Sequence, residues 1–188
     1  MPRSATAQVC FVCAAALPAA LVPLQAFAAV YMSAADAAHL MFPEASAFTP
    51  RPLSLTAEQR QLIAAHAGGG GPPNTAFWKV VTATAGDRLL GYVVTDSVIG
   101  KFDLIDYAVA LAPDGTIRDV EILAYREAHG GEVRTAAWRR QFVGKTASAP
   151  LAIGDDIANI SGATLSCTHL TDGIRRIATY GQLVLAKG

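Results

Sequence analysis

The stretch Ile160-Ser161-Gly162-Ala163-Thr164-Leu165-Ser166 sets hydroxyls among small residues, just ahead of an apolar periodic run. Small side chains let a backbone approach a ligand closely, and the free N–H groups of a helix's first turn suit a phosphate. The hydroxyls of Ser161, Thr164 and Ser166 add donors, and any of them is a possible ester acceptor. By residue type alone the same pattern serves plain helix capping, so both readings stand at this level. A second stretch, Tyr125-Arg126-Glu127-Ala128-His129-Gly130-Gly131-Glu132, puts a carboxylate and an imidazole into a glycine-rich loop. A third, Trp138-Arg139-Arg140-Gln141-Phe142-Val143-Gly144-Lys145, spaces Trp138 and Phe142 four apart, as core residues of a short helix.

Other chemistries find less support. The histidines at 39, 66, 129 and 169 are scattered, and no zinc set is expected. Ser161, His129 and Asp156 supply the residue types of a hydrolase triad, but the Gly-x-Ser-x-Gly elbow is absent. No Gly-x-Gly-x-x-Gly follows a strand, so direct oxidation of a nicotinamide is not supported. Lysine plus arginine and aspartate plus glutamate balance at 15 each, which gives no field to draw nucleic acid.

These residues need elements to hold them. At 188 residues and 52% hydrophobic, the chain has enough material for one packed core. Val9 to Leu24 is almost wholly apolar and is followed by Ala26-Phe27-Ala28, which reads as a signal peptide over 1–28, cleaved after Ala28, with periplasmic export expected. The alternative is an uncleaved N-terminal membrane helix. Cys10 and Cys13 lie inside that run, so the mature chain keeps Cys167 alone, expected as a buried thiol.

Ser33 with Asp36 and Thr56 with Gln59 are helix-start signals, and Phe42-Pro43 ends the first helix. Gly68 to Pro73 forbids regular structure. Residues 29–73 are therefore read as a helical N-terminal extension, and 74–188 as the main domain. Strands are expected at Phe77 to Thr84, Leu89 to Ser97, Leu104 to Leu111 and Ile117 to Tyr125, antiparallel because Gly86 and Gly115 sit in loops of hairpin length. A short helix at Ala136 to Phe142 and a last one at Thr168 to Tyr180, stopped by Gly181, complete an α+β fold: an antiparallel sheet packed with helices. His169 is placed beside the hydroxyl-rich loop, and Arg175 and Arg176 on a solvated face.

Taken in order, the three motifs resemble the FMN-binding domain family, which includes the C subunit of the sodium-pumping quinone reductase and the G subunit of the Rnf complex. Ser161-Gly162-Ala163-Thr164-Leu165-Ser166 resembles its flavinylation signature, which implies that Thr164 carries FMN through a phosphoester made by a periplasmic flavin transferase. Tyr125 to Glu132 resembles the family's Glu-Thr-Pro-Gly-Leu-Gly loop against the flavin ring, with Glu127 and Gly130 matching and Ala128, His129 and Glu132 departing. Trp138 to Lys145 resembles its aromatic-x-x-Gln-Phe-x-Gly-Lys segment. The resemblance implies an exported electron-transfer protein with a membrane or periplasmic redox partner; the alternatives are noncovalent FMN binding or a flavin-dependent reductase. One departure is Ala158, where the family has an Asp six residues before the acceptor threonine; Asp155 and Asp156 are the nearest acids.

Overall fold

The computed structural model describes residues 29–66, 75 and 78–187; the expected signal peptide and the Gly68 to Pro73 run lie outside them. Its centre is a six-stranded antiparallel sheet in the order β1-β6-β5-β4-β3-β2. The four expected strands are β3 (Lys79–Ala85), β4 (Arg88–Ile99), β5 (Leu104–Leu111) and β6 (Ile117–Tyr125). They form a meander, because the Gly86 and Gly115 turns are too short for anything but antiparallel neighbours.

The N-terminal segment forms its two expected helices and also supplies both edges of this sheet. β1 (Ala29–Val30) pairs with β6, and β2 (Ala47–Arg51) pairs with β3. β2 contains Pro50, which an edge strand tolerates because one side needs no ladder donor. Helix α1 (Ala34–Met41) starts where Ser33 Oγ accepts from Asp36 N at 3.1 Å while the Asp36 carboxylate takes the Ser33 N–H. Helix α2 (Ala57–His66) starts with the equivalent exchange between Thr56 and Gln59.

Side-chain alternation along β5 decides what covers each face. Ile105, Tyr107, Val109 and Leu111 enter the larger core, closed by α2 and by α4 (Thr164–Tyr180) through Leu170, Ile174 and Ile177. Ala108 and Ala110 face the other way, and their small size lets α1 pack closely through Ala37, Ala38 and Met41. Trp138 and Phe142 are core residues, as expected, with their rings edge to face at 5.0 Å across α3 (Ala136–Arg139) and the 3-10 turn Arg140–Phe142. Among the described residues no helix is long and apolar enough to cross a membrane.

Three expectations at the C-terminal end are corrected. Helix α4 begins at Thr164 and not Thr168, because Cys167 N already donates to the Ala163 carbonyl at 3.0 Å. Gly181 does not stop it: its backbone is right-handed helical and continues into a π-helical turn, Gly181–Leu185. The lack of a side chain there serves close packing, since a Cβ would lie 2.7 Å from Leu111 Cδ1. Arg175 is no solvated side chain; it pairs with Asp172 at 3.1 Å and donates to the Pro150 carbonyl.

Under α4, the fully buried Tyr107 donates its hydroxyl to Asp96 Oδ2 at 2.8 Å. Burial raises the Asp96 carboxyl above its ordinary range, against the pull of that hydrogen bond. Gly173 of α4 sits directly over the phenol, where a Cβ would lie 2.1 Å from Tyr107 Oη. Gly173→Ala is expected to displace Tyr107, strain its bond to Asp96 and cost about 1–3 kcal/mol. Denaturant unfolding measures this, and an unchanged midpoint would show that the phenol can move aside freely.

Candidate functional site

Gly130 has φ +87°, a left-handed conformation, and a Cβ on it would lie 2.2 Å from Ala163 Cβ and 2.7 Å from Tyr125 Oη. The glycine-rich loop and the hydroxyl-rich loop therefore meet at a point where one of them must lack a side chain. Tyr125 ties the same two segments together. Its hydroxyl donates to the His129 carbonyl and lies 3.4 Å from Ser166 Oγ.

The third motif grips the approach to the hydroxyl-rich loop. Trp138 Nε1 donates to the Ala158 carbonyl at 2.9 Å, and Gln141 Oε1 accepts from Ala158 N at 2.7 Å. Lys145 pairs with Asp156 at 2.8 Å, and the other oxygen of that carboxylate accepts from Ala152 N. Asp156 is thus committed within its own turn, where these contacts hold its carboxyl below the usual range although partial burial opposes them.

Helix α4 opens directly from this loop. Gly162 is left-handed at φ +81°, Ala163 is the N-cap, and no side chain caps the first turn. Uncapped N–H groups at a helix start attract an anion. Thr164 is exposed, and its Oγ1 accepts from Asn159 Nδ2 at 2.9 Å. A lone Asn five residues upstream carries no pattern that would mark Asn159 in the sequence.

A cavity of about 310 Å³ lies between the loops, lined by Glu127, Ala128, His129 and all residues from Gly162 to Ser166. A second depression shares Glu127, Ala128, His129 and Gly162 with the first and adds Gly130 and Ser161. All ten residues singled out from the sequence thus converge here. Lys101 and Phe102, from the β4–β5 loop, also line the first cavity. Nothing in their local sequence marked them; they arrive by sheet topology.

That loop is anchored from two sides. Glu127 Oε1 accepts from Phe102 N at 2.6 Å and from Asp103 N at 3.0 Å, so its carboxylate faces the loop backbone. Desolvation opposes the charge, but the amides of Asp103, Phe102 and Lys101 outweigh it and hold the Glu127 carboxyl below its usual range. His169 Nδ1 lies 2.6 Å from the Ile99 carbonyl and 3.0 Å from that of Gly100. Carbonyls only accept, so Nδ1 carries the proton. Cys167 is buried, and burial pushes its thiol up.

Comparison with known proteins gives this geometry a context. Residues 100–179 match the family model of the FMN-binding domain. The cofactor indicated is FMN. The matched stretch starts at the anchored β4–β5 loop and holds all three motifs. A Clostridium ljungdahlii protein, described as the G subunit of the proton-translocating ferredoxin:NAD(+) oxidoreductase complex, is 29% identical over 100 residues, 50% of this chain and 54% of that protein. The chain spans about half the length of this curated relative. The donors present suit FMN: an uncapped helix start for a phosphate, and Ala128, Ala163 and Leu165 for an apolar ring.

Two outcomes follow from this geometry. Gly130→Ala is expected to push the loops apart and weaken FMN binding at least tenfold in a fluorescence titration; unchanged affinity would detach Gly130 from the site. The Glu127 anchor concerns pH. A carboxyl whose pKa is lower folded than unfolded stabilises above its unfolded value and loses that contribution as pH falls through the folded one. Amide exchange at Phe102 and Asp103 should therefore stay protected through the ordinary glutamate range and rise only below it, whereas Glu127→Gln should show weaker protection at neutral pH.

Proposed function

We propose that this chain is an exported FMN-binding electron-transfer protein in which Thr164 takes the flavin phosphate as an ester. One observation carries the reading: the glycine-rich and hydroxyl-rich loops share one cavity at an uncapped helix start, with the Thr164 hydroxyl exposed and oriented by Asn159. The match to the FMN-binding domain and the likeness to one component of a redox complex support it.

Each residue then has a task. First-turn N–H groups of α4 and the Ser161 hydroxyl receive phosphate oxygens, and Gly162 and Ala163 let the backbone come close. Asn159 donates to Thr164 Oγ1 and leaves the threonine proton free to depart. Ala128, His129, Gly130 and Leu165 would border the ring, while Ser166 and Glu127 act behind them, Glu127 by fixing the 101–103 backbone. FMN, when bound, supplies the redox chemistry. A periplasmic flavin transferase would make the ester from a flavin dinucleotide: the Thr164 oxygen bonds the flavin-side phosphorus, the pyrophosphate bond breaks, the nucleoside monophosphate leaves and the transferase accepts the threonine proton. A membrane or periplasmic partner within a complex would exchange electrons. Residues 1–28 are the export signal, 29–73 the extension and 74–188 the FMN-binding domain.

A second reading, noncovalent holding of FMN, is favoured by one feature. The carboxylate that the family places before the acceptor is replaced by Ala158, and Asp156 is occupied by Lys145. The experiment separates the two. Protein exported from a host with a flavin transferase should have an intact mass that begins at Ala29 and includes FMN, and its fluorescence should persist on a denaturing gel. Thr164→Ala should abolish that fluorescence. Loss of flavin on denaturing the parent would favour noncovalent holding, and a retained residue 1 would defeat cleavage.

A further inference from the structure

We propose that Phe102 is a stacking platform for the flavin ring, held ready by a rigid loop; this rests on the FMN reading above. Phe102 is 76% exposed, although a phenyl ring in water is a cost that globular proteins usually avoid. It sits at the tip of the β4–β5 hairpin and lines the same cavity as Thr164 and Leu165, itself 48% exposed.

An exposed hairpin tip normally leaves its backbone to water, but this one does not. Phe102 N and Asp103 N donate to Glu127, and the Ile99 and Gly100 carbonyls accept from His169. Gly100 has no space for a Cβ, which would lie 2.5 Å from Glu127 Oε1 and 2.9 Å from Ser166 Oγ. The tip therefore packs directly on the first turn of α4, and the Cα from which the phenyl projects keeps a set position relative to that turn. Its backbone is fixed while its side chain is left unburied.

A planar apolar group inserted into the cavity would bury that phenyl and Leu165, and one end of the cavity is the uncapped start of α4. A ligand with a phosphate at one end and an aromatic ring at the other satisfies both requirements; inorganic phosphate or a simple phosphosugar leaves Phe102 in water. Because the loop backbone is already ordered, stacking costs only the rotamer freedom of the phenyl, and the rest of its benefit goes into affinity. Lys101, which lines the same cavity, holds its Nζ 4.8 Å from the centre of the Phe102 ring, so one face of the phenyl already has a cation against it.

The test uses the mature chain produced without a flavin transferase, so that FMN binds reversibly, and compares wild type, Phe102→Ala and Phe102→Trp. Phe102→Ala should weaken FMN binding about five- to tenfold. It should leave the melting point of the ligand-free protein unchanged, since little of the phenyl is buried. Phe102→Trp should bind FMN at least as well as wild type and quench its emission several-fold, because an indole in ring contact is an efficient quencher. Wild type that takes up no FMN would defeat the FMN reading itself. Wild type that binds FMN, with Phe102→Ala binding as tightly and Phe102→Trp emitting as strongly, would overturn the platform alone.

Discussion

A Cβ at position 130 would lie 2.2 Å from that of Ala163, so the loop after β6 and the loop before α4 can touch only while residue 130 is glycine. This contact closes the site. β6 and the loop after it deliver Tyr125 and Glu127 to one side of it, and α4 delivers Ser166 and His169 to the other. The cavity exists because these two chain segments, distant in sequence, are drawn together at backbone range while their exposed ends, Ala128-His129 and Thr164-Leu165, splay apart. The left-handed φ of Gly130 adds a second reason for glycine, since it turns the chain away from β6 without strain.

The approach to Thr164 has no helix or named strand between residues 143 and 163, only the bridge of Ile153 with Ile157, yet it is held in place. Trp138 and Gln141 clamp the two backbone polar groups of Ala158, and Lys145 occupies Asp156. Side chains of one short helical segment thus perform the pairing that a strand partner would otherwise supply. This segment is in turn fixed to the sheet by Arg139, which pairs with Glu121 and donates to the Val120 carbonyl, and by the edge-to-face packing of Trp138 on Phe142. Glu121 is buried, and desolvation raises its carboxyl despite the guanidinium beside it. Removing Arg139 would leave that carboxylate without its compensating partner.

The sheet works as a divider as much as a scaffold. Large side chains of β5 point toward α4 and small ones toward α1, so the helix that carries the site rests on the thicker, better-filled core. Gly173 and Gly181 let α4 and its continuation lie close to that core, over Tyr107 and Leu111. The position of Thr164 is therefore set from below by packing and from the side by hydrogen bonds.

Local chemistry was legible in the residues alone. The ends of β5 and β6, the capping exchanges at Ser33 and Thr56, the core roles of Trp138 and Phe142, and the three motifs all depend on neighbours within a few positions. The edge strands β1 and β2 were not legible, because two residues and a proline-containing pentapeptide carry no strand period and are strands only through β6 and β3. The start of α4 and the behaviour of Gly181 escape local reading for the same reason: a glycine reads locally as a stop, while the packing of Leu111 against it is decided by the sheet. Asn159, Lys101 and Phe102 reach the site through contacts that their own neighbours in the chain do not announce. Glu127 was recognised by its motif, yet only the fold determined that its carboxylate serves the 101–103 backbone, since backbone amides become partners only once β4 and β5 have paired.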